Sequence, residues 1–344
     1  MKEVISHSAP WLSDLDLSAV NRCLTSEMIS RGDRARAFEE EFGAVVGWTY
    51  VKSTSSGSAA LLVALLSLGV SADDEVIVPT YVCKSVMNTV LSLGAKCVLC
   101  DIGSHWTMTS ESVESKITER TKAIVLVHIF GIEADSESLR STGIPIIEDC
   151  CQALGQTSEG SWIGGRGDVA VYSFHPTKCL SAGEGGIIAT NNPSLSLAIE
   201  ENFNSNKIPF CFSDIQASLA LSQLKRYNGV LQRRKAIADL YFKLLPPRYT
   251  NALAQISHRS MFFRFPLLYS GDFQLARRKL AVQGIEVRRG VDELLHRLCG
   301  EGDEKFPFAV SAFNSTISIP ILPQLSDVDA QRVAFEVESA LGST

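Results

Sequence analysis

The sequence predicts an α/β protein: a mainly parallel sheet sandwiched by helices, followed by a smaller C-terminal α/β unit. Short apolar runs alternate with helical segments through the first half of the chain, as is typical of buried parallel strands. Several runs end in a polar residue, such as His128 or Asp149, at the sheet edge where α/β proteins bind ligands. Beyond Asn192 this alternation stops, and a long helical stretch precedes the C-terminal unit.

The composition is that of an ordinary globular protein. Of its 344 residues, 45% are hydrophobic and 20% are charged, which suits a large core and roughly two domains. The net charge of −6 argues against a nucleic-acid surface or a polybasic membrane patch. No apolar run is long enough to span a bilayer, and the N-terminus lacks an apolar signal core. We therefore expect a cytoplasmic protein whose nine cysteines are reduced thiols.

No metal site is expected from the cysteines. Cys97 and Cys100 form a C-x-x-C pattern, but they lie in an apolar run that is predicted to be a strand. Residues three apart on a strand face opposite sides, so these two thiols are poorly placed to share a metal or a disulfide.

The predicted elements begin with two helices, at residues 14–30 and 34–46, where apolar side chains recur at helical spacing. Later helices are predicted at residues 59–68, 83–93, 110–117, 136–141, 214–245, 273–283 and 326–341. Strands are predicted at residues 50–52, 75–79, 97–100, 123–127, 145–147, 169–174, 187–189 and 317–319, and near 262–268.

A single lysine occupies an unusual position between two predicted strands. Lys178 follows Pro176 in a loop that also holds Glu184 among three glycines. At a strand end, desolvation favours the neutral amine, which can condense with an aldehyde. The alternative is an ordinary loop lysine.

The turn after the first strand has the features of an anion site. Ser56, Gly57 and Ser58 precede a helix, whose free N–H groups and dipole favour a phosphate. The alternative is simple N-capping by Ser56 or Ser58.

Asp149 ends a buried strand, where its carboxylate can remain ionised against a cationic ring nitrogen. Pyridoxal 5′-phosphate (PLP) chemistry needs such an acid and a lysine on the opposite side of the ring. Asp149 alone could also cap the next helix. The phosphate turn, the acid and the lysine, in this order, together favour a PLP site.

Several segments carry a resemblance to a known family, and they lie at residues 38–42, 56–61, 74–79, 121–124, 127–131, 147–153, 172–178, 183–186 and 317–320. They resemble the DegT/StrS-type sugar-nucleotide aminotransferases, which are PLP enzymes of fold type I. The resemblance implies a sheet of the seven-stranded type within a PLP-binding large domain, residues 1–240, and a small domain, residues 241–344. It also implies a homodimer with the active site at the subunit interface.

The resemblance implies a role for each matching residue. Lys178 would form the aldimine with PLP and shuttle protons, Asp149 would pair with the pyridine nitrogen, and Gln152 would bond the ring hydroxyl. The phosphate would be held by the Ser173 hydroxyl and by the backbone amides of Gly57 and Ser58. Relatives with histidine in place of this lysine dehydrate the sugar, so the retained Lys178 favours amino transfer.

Three departures from the family pattern affect the expected contacts. The family's aromatic residue on the PLP face is replaced by Cys83, so either Cys83 or Tyr81 would cover the ring. A polar contact to the neighbouring subunit's phosphate is lost unless Asn206 or Lys207 replaces it. The segment before the C-terminal histidine differs too, which makes substrate recognition hard to transfer. The substrate-binding candidates are His175, Glu184, Arg31, Arg288, Arg289 and His296.

The predicted function is transfer of an amino group from an amino acid, with glutamate expected, to a ketone. By resemblance, that ketone belongs to a nucleotide-linked sugar or a related cyclic polyol. A PLP-dependent lyase or dehydratase on the same fold is one alternative, and a non-catalytic sensor or scaffold is another.

Overall fold

The computed structural model describes residues 4–25, 28–157, 159–205 and 211–342 and confirms the α/β class. The helices are α1 (Asp14–Leu24), α2 (Asp33–Val46), α3 (Gly57–Ser67), α4 (Lys84–Ser92), α5 (Ser110–Glu114), α6 (Glu137–Arg140), α7 (Pro193–Asn204), α8 (Asp214–Lys225), α9 (Tyr227–Leu244), α10 (Pro247–Gln255), α11 (Phe273–Val282), α12 (Leu295–Leu298), α13 (Pro307–Ser315) and α14 (Asp327–Leu341). The strands are β1 (Tyr50–Thr54), β2 (Glu75–Pro79), β3 (Lys96–Cys100), β4 (Thr121–Val127), β5 (Ile146–Asp149), β6 (Val169–Ser173), β7 (Gly186–Thr190), β8 (Phe265–Leu268), β9 (Arg288–Arg289) and β10 (Thr316–Ile319).

The main sheet has seven strands in the order β1-β7-β6-β5-β4-β2-β3. Strands β2 to β6 pair in parallel, whereas β7 is antiparallel to both β6 and β1. The central strands are buried along their lengths because helices cover both faces. Asp149 pairs with Val171 in register, so the carboxyl ends of β5 and β6 lie side by side. This edge carries the candidate site.

An aromatic cluster supports the loop that carries Lys178. The Phe38 ring of α2 lies 5.3 Å from the Phe174 ring and 5.7 Å from the Phe212 ring, measured between centroids. Gly185 has a φ of +141°, and a Cβ there would lie 2.4 Å from the Phe212 ring. Only glycine lets the loop return this closely over the cluster.

The C-terminal part is a three-stranded sheet in the order β8-β10-β9, with both pairings antiparallel. Helices α10, α11 and α14 belong to this part of the chain. Ile5 forms a parallel bridge with Ile285, so the described N-terminal residues pack against this unit. Helix α9 runs across residue 240, and the division into domains at that position stays a prediction.

The predicted helix over residues 214–245 is two helices. Arg226 separates α8 from α9 with φ −107° and ψ 7°. Its guanidinium ion-pairs with Asp16 at 2.5 Å and lies over the Trp11 ring, 4.6 Å from the centroid. Because these partners are more than 200 residues away in sequence, periodicity alone did not indicate the break.

Other boundaries also differ from the prediction. Helix α1 ends at Leu24 rather than residue 30, and the Thr25 hydroxyl donates to the Asn21 and Arg22 carbonyls there. The elements that the prediction lacked are α7, α10, α12, α13 and β9. The start of α7 carries a recognisable signal, since Asn192 caps it and Pro193 is its first residue. Within the described ranges, no helix is both long and apolar enough to cross a membrane.

Candidate active site

A cavity of about 350 Å³ lies at the carboxyl edge of β5 and β6, and we call it the Lys178 cavity. It brings together eight of the predicted site residues: Gly57, Ser58, Cys83, Asp149, Ser173, His175, Lys178 and Glu184. Cys151 also lines it. Residues from five separate stretches of sequence therefore meet here because the parallel strands end at one edge.

The first wall of the Lys178 cavity is the N-terminus of α3. Ser56 caps this helix, since its Oγ accepts a hydrogen bond from the Ala59 N–H at 3.1 Å. Among the described residues, nothing accepts a hydrogen bond from the Gly57 or Ser58 N–H. A Cβ on Gly57 would lie 2.8 Å from Ser173 Cβ and 2.9 Å from Cys151 Sγ. Ser56 therefore caps the helix and still leaves the Gly57 and Ser58 N–H groups without an acceptor among the described residues. These two N–H groups suit a phosphate.

The Asp149 carboxylate is nearly buried, with 6% of the residue exposed. Its Oδ1 accepts a hydrogen bond from the Cys151 N–H at 2.9 Å. Among the described residues, no lysine, arginine or histidine lies within 4.0 Å of this carboxylate. A buried carboxylate without a cation is unfavourable, so the site suits a ligand with a cationic nitrogen.

The neighbouring carboxylate, Glu148, faces a different set of partners, which the sequence did not reveal. His128 accepts the Ala134 N–H at Nδ1, so its Nε2 carries the proton and donates to Glu148 at 3.2 Å. Glu148 Oε2 accepts three further hydrogen bonds, from the N–H groups of Gly165, Arg166 and Gly167. These contacts hold the loop before β6.

The environment of Glu148 keeps it ionised. Burial raises the pKa of this carboxyl, but the hydrogen bonds from His128, Gly167 and Gly165 outweigh burial and lower it to about 2. Two adjacent carboxylates on β5 thus have separate roles. Glu148 is committed to internal contacts, while Asp149 lines the cavity.

Lys178 lies in a compact loop between β6 and β7. Its N–H donates to the His175 carbonyl at 2.8 Å, and the Ala182 N–H donates to the Phe174 carbonyl at 2.9 Å. The Lys178 Nζ lies 5.5 Å from the centroid of the Phe263 ring. Its ammonium group makes no ion pair within the described part of the chain. The amine is therefore held at the cavity and available for chemistry.

Of the two candidates for the ring face, Cys83 lines the cavity and Tyr81 does not. Tyr81 is buried and packs edge-to-face on Phe130, with 6.2 Å between centroids. A Cβ on Gly290 would lie 1.9 Å from the Tyr81 Oη, so the small unit closes over this side chain. Burial raises the pKa of Tyr81. Tyr81 therefore packs between the seven-stranded sheet and the part of the chain that carries the three-stranded sheet.

Gln152 lies beside the cavity without lining it. Its Oε1 accepts a hydrogen bond from the Phe130 N–H at 3.1 Å, which leaves the amide N–H groups to donate elsewhere. In this orientation, the Gln152 amide N–H groups can donate to the ring hydroxyl of a bound cofactor.

Four of the six substrate-binding candidates lie outside the cavity. Arg31 donates to Ser53 Oγ at 2.8 Å and to Glu39 at 2.7 Å, which occupies its guanidinium. His296 is fully buried between Thr80, 2.8 Å from Nδ1, and Asp303, 3.0 Å from Nε2. Both residues have structural partners that their sequence neighbourhood did not indicate.

The two arginines of β9 differ from each other. Arg289 lies between the rings of Phe273 and Phe313, 4.5 Å from each centroid. Arg288 is exposed and lines a separate cavity of about 530 Å³. His175 and Glu184, in contrast, are exposed at the Lys178 cavity. Asn206 and Lys207 lie outside the described residues.

The residues present fit PLP: an anion-binding helix N-terminus, a buried carboxylate without a cation and an amine share one cavity. The fold and the site thus define a PLP-dependent enzyme of the aminotransferase class. The chain belongs to the DegT/DnrJ/EryC1/StrS aminotransferase family, whose sequence pattern matches residues 11–338. It is a sugar aminotransferase of that family.

Individual relatives are similar to this chain over nearly its whole length. GDP-perosamine synthase of Escherichia coli O157:H7 is 31% identical over an alignment of 357 positions, and the match covers 96% of this chain and 96% of that protein. The aminotransferase PseC of Helicobacter pylori, involved in pseudoaminic acid biosynthesis, has a TM-score of 0.91 at 25% identity, covering 99% of this chain and 100% of PseC. Spr1654 from Streptococcus pneumoniae, described as a putative sugar aminotransferase and solved in its PLP form, shares the fold with a TM-score of 0.90 at 24% identity. The match covers 98% of this chain and 99% of Spr1654.

Proposed function

We propose that the Lys178 cavity would hold PLP, and that Lys178 Nζ would be the amine that condenses with the cofactor's aldehyde and releases water. The enzyme then moves an amino group from an amino acid, with glutamate as the expected donor, to a keto group of a nucleotide-linked sugar or a related cyclic ketone. One observation carries this proposal. The nearly buried Asp149 carboxylate, without a cation among the described residues, shares a cavity with the Lys178 amine.

The side chains have distinct tasks in this proposal. When bound, PLP supplies the electron-withdrawing ring that carries the amino group between the two substrates. Asp149 keeps a proton on the ring nitrogen, and Lys178 Nζ moves a proton at the reacting carbon as general acid and base. The Gly57 and Ser58 N–H groups and the Ser173 hydroxyl bind the phosphate, and Gln152 donates to the ring hydroxyl.

The nucleotide-linked sugar is supported by the relatives. GDP-perosamine synthase has a nucleotide in its name, and its match covers 96% of this chain. His175 and Glu184 are the predicted substrate residues that remain exposed at the Lys178 cavity, and we assign them to the acceptor.

We also propose that the enzyme is a cytoplasmic homodimer with its active site at the subunit interface. Exposed apolar side chains lie on and beside α1, including Leu12, Leu15 and Leu17. A second copy of the chain could cover some of these side chains. Sedimentation analysis tests the dimer, and the variant Leu15→Glu should weaken it.

Two absorbance measurements test the proposed function. Glutamate added alone to the PLP-loaded protein should convert the visible band of the cofactor to the ultraviolet band of its amino form. A panel of keto-sugar nucleotides and keto-cyclitols should then restore the visible band. An unchanged spectrum with glutamate and every other amino donor would overturn the aminotransferase assignment and favour the lyase, dehydratase or sensor alternatives.

A further inference from the structure

Helices α11 and α14 lie side by side on the C-terminal unit and run in opposite directions. Lys279 Nζ of α11 donates to the Ala340 carbonyl of α14 at 3.2 Å, and Arg332 Nη2 of α14 donates to the Gln283 carbonyl at 2.5 Å. Between these two contacts the residue numbers rise along α11 and fall along α14, so the pair is antiparallel. One side of each helix is buried against the unit, and the other side faces solvent.

The solvent side of this helix pair carries exposed apolar side chains, which are Leu275 and Val282 on α11 and Val328 and Phe335 on α14. We call these four residues the α11/α14 face. On each helix the two members are seven residues, or about two turns, apart and so share one side of the helix. Val282 is 81% exposed, Val328 73% and Phe335 71%. Three of the four most exposed large apolar side chains in the described part of the chain thus lie here, and the fourth is Leu197 of α7.

The antiparallel arrangement brings the four residues into one stripe across the two helices. Val282 precedes Gln283, whose carbonyl binds Arg332, and Arg332 lies about one turn from Phe335. Val282 and Phe335 therefore lie near the middle of the α11/α14 face, with the remaining two members toward its opposite ends. An exposed apolar stripe of this kind is typical of a protein interaction surface.

The two helices carry opposite charges of equal size. Helix α11 has three basic residues and no acidic one, whereas α14 has four acidic residues and a single basic one, Arg332. Arg278 of α11 and Glu338 of α14 are both exposed, and neither has an ion-pair partner within the described ranges. Each helix is thus the electrostatic complement of the other. A second copy of the chain offers both complements at once.

We propose that two copies of the chain associate through the α11/α14 face, with α11 of each copy lying on α14 of the other. The contact is isologous, and its twofold axis runs along the two antiparallel helices. It buries Val282 and Phe335 near the axis. It also sets Arg278 of each copy opposite Glu338 of the other, because Lys279 and Ala340 place these two residues at the same level along the helix pair.

This contact is separate from the one proposed at α1, and it goes beyond the proposed function. The α11/α14 face lies on the C-terminal unit, whereas α1 packs against α8. The two contacts together build an assembly larger than a dimer. Neither contact depends on the other, because they use different helices.

Sedimentation equilibrium of the PLP-loaded protein measures the association. Phe335→Ser should lower the association constant by about 10-fold or more, because an aromatic side chain is lost from the middle of the contact. The matched control is Leu197→Ser, which removes a similarly exposed apolar side chain from α7 and should leave the constant unchanged. The absorbance of bound PLP verifies that each variant is folded.

Charge reversal tests the pairing of the two helices. Arg278→Glu alone and Glu338→Arg alone should each weaken self-association by about 10-fold or more, because each sets like charges against one another twice in a symmetric contact. When these two single variants are mixed in equal amounts, they should associate with nearly wild-type strength. In the mixed pair, every facing couple at these two positions again has opposite charges.

The inference is overturned if Phe335→Ser associates as strongly as Leu197→Ser, or if the wild type shows no association that Phe335→Ser weakens. It is also overturned if the two charge-reversed variants fail to associate when they are mixed. Both results leave the aminotransferase assignment standing, since the response of the PLP absorbance to an amino donor tests that assignment separately.

Discussion

Gly57 and Ser173 approach each other so closely that a Cβ on Gly57 would lie 2.8 Å from Ser173 Cβ. Gly57 begins α3 and Ser173 ends β6, so the contact joins the helix N-terminus to the sheet edge. The same contact places the first N–H groups of α3, which have no acceptor among the described residues, beside the Ser173 hydroxyl. It therefore builds the end of the Lys178 cavity to which we assign the phosphate.

The variant Gly57→Ala should weaken PLP binding by about 10-fold or more, because overpacking shifts the helix start away from Ser173. Titration of the PLP-free protein with PLP, followed by absorbance, measures this. Gly229→Ala is the matched control, since a Cβ there has nothing within 4 Å. Equal PLP affinity in both variants would contradict the phosphate assignment.

Asp149→Asn should have opposite effects on stability and activity. The PLP-free protein should gain about 1 kcal/mol in the free energy of unfolding, because a buried carboxylate without a cation is removed. The glutamate step should slow by about 100-fold or more, because the ring nitrogen loses its acidic partner. Urea unfolding and stopped-flow absorbance measure the two effects. A variant with wild-type rates would remove Asp149 from the mechanism.

Cys83→Phe should tighten PLP binding by up to about 10-fold, because an aromatic ring stacks better on the cofactor than a thiol does. The prediction follows from Cys83, and not Tyr81, lining the cavity. Cys211→Phe serves as the control at an exposed cysteine. If Tyr81→Phe rather than Cys83→Phe alters PLP affinity, the assignment of the ring face is wrong.

Glu148 should contribute to the pH dependence of stability. Its pKa in the folded protein is about 2, against an ordinary value of 4.5, so its stabilisation is complete above pH 4.5 and is lost as the pH falls through 2. Urea unfolding between pH 7 and pH 3 should show a smaller decline in the free energy of unfolding for Glu148→Gln, which lacks this carboxylate, than for the wild type. The exposed-site control Glu137→Gln should behave like the wild type. Equal declines in the three proteins would contradict the assigned role.

The main features of the site could be predicted because they depend on local patterns. Asp149 ends a buried strand and Lys178 follows one, and parallel strands bring such positions to one edge. The role of Ser173, which also ends a strand, was implied by the family resemblance. The start of α3 was visible for the same reason, as hydroxyl and glycine residues precede an apolar helix.

Four of the six substrate-binding candidates lie outside the cavity, because their environments depend on contacts with residues far away in the sequence. His296 bonds Thr80, 216 residues away, and Arg289 lies between two rings of other elements.

Whether Cys83 or Tyr81 lines the cavity could not be predicted from the sequence either. Both follow β2 within four residues, and their separation of two places them in similar positions along the chain. The closure of Gly290 over Tyr81 decides which of them is left at the cavity. That contact joins residues more than 200 positions apart.

Borohydride reduction of the PLP-loaded protein, followed by peptide mass spectrometry, tests the central claim most directly. The claim is that the Lys178 amine binds the cofactor covalently opposite Asp149. We expect one stoichiometric pyridoxyl label, located on Lys178, and no label when glutamate is added before reduction. A label on any other lysine, or none in a protein that is folded and supplied with PLP, would contradict the account.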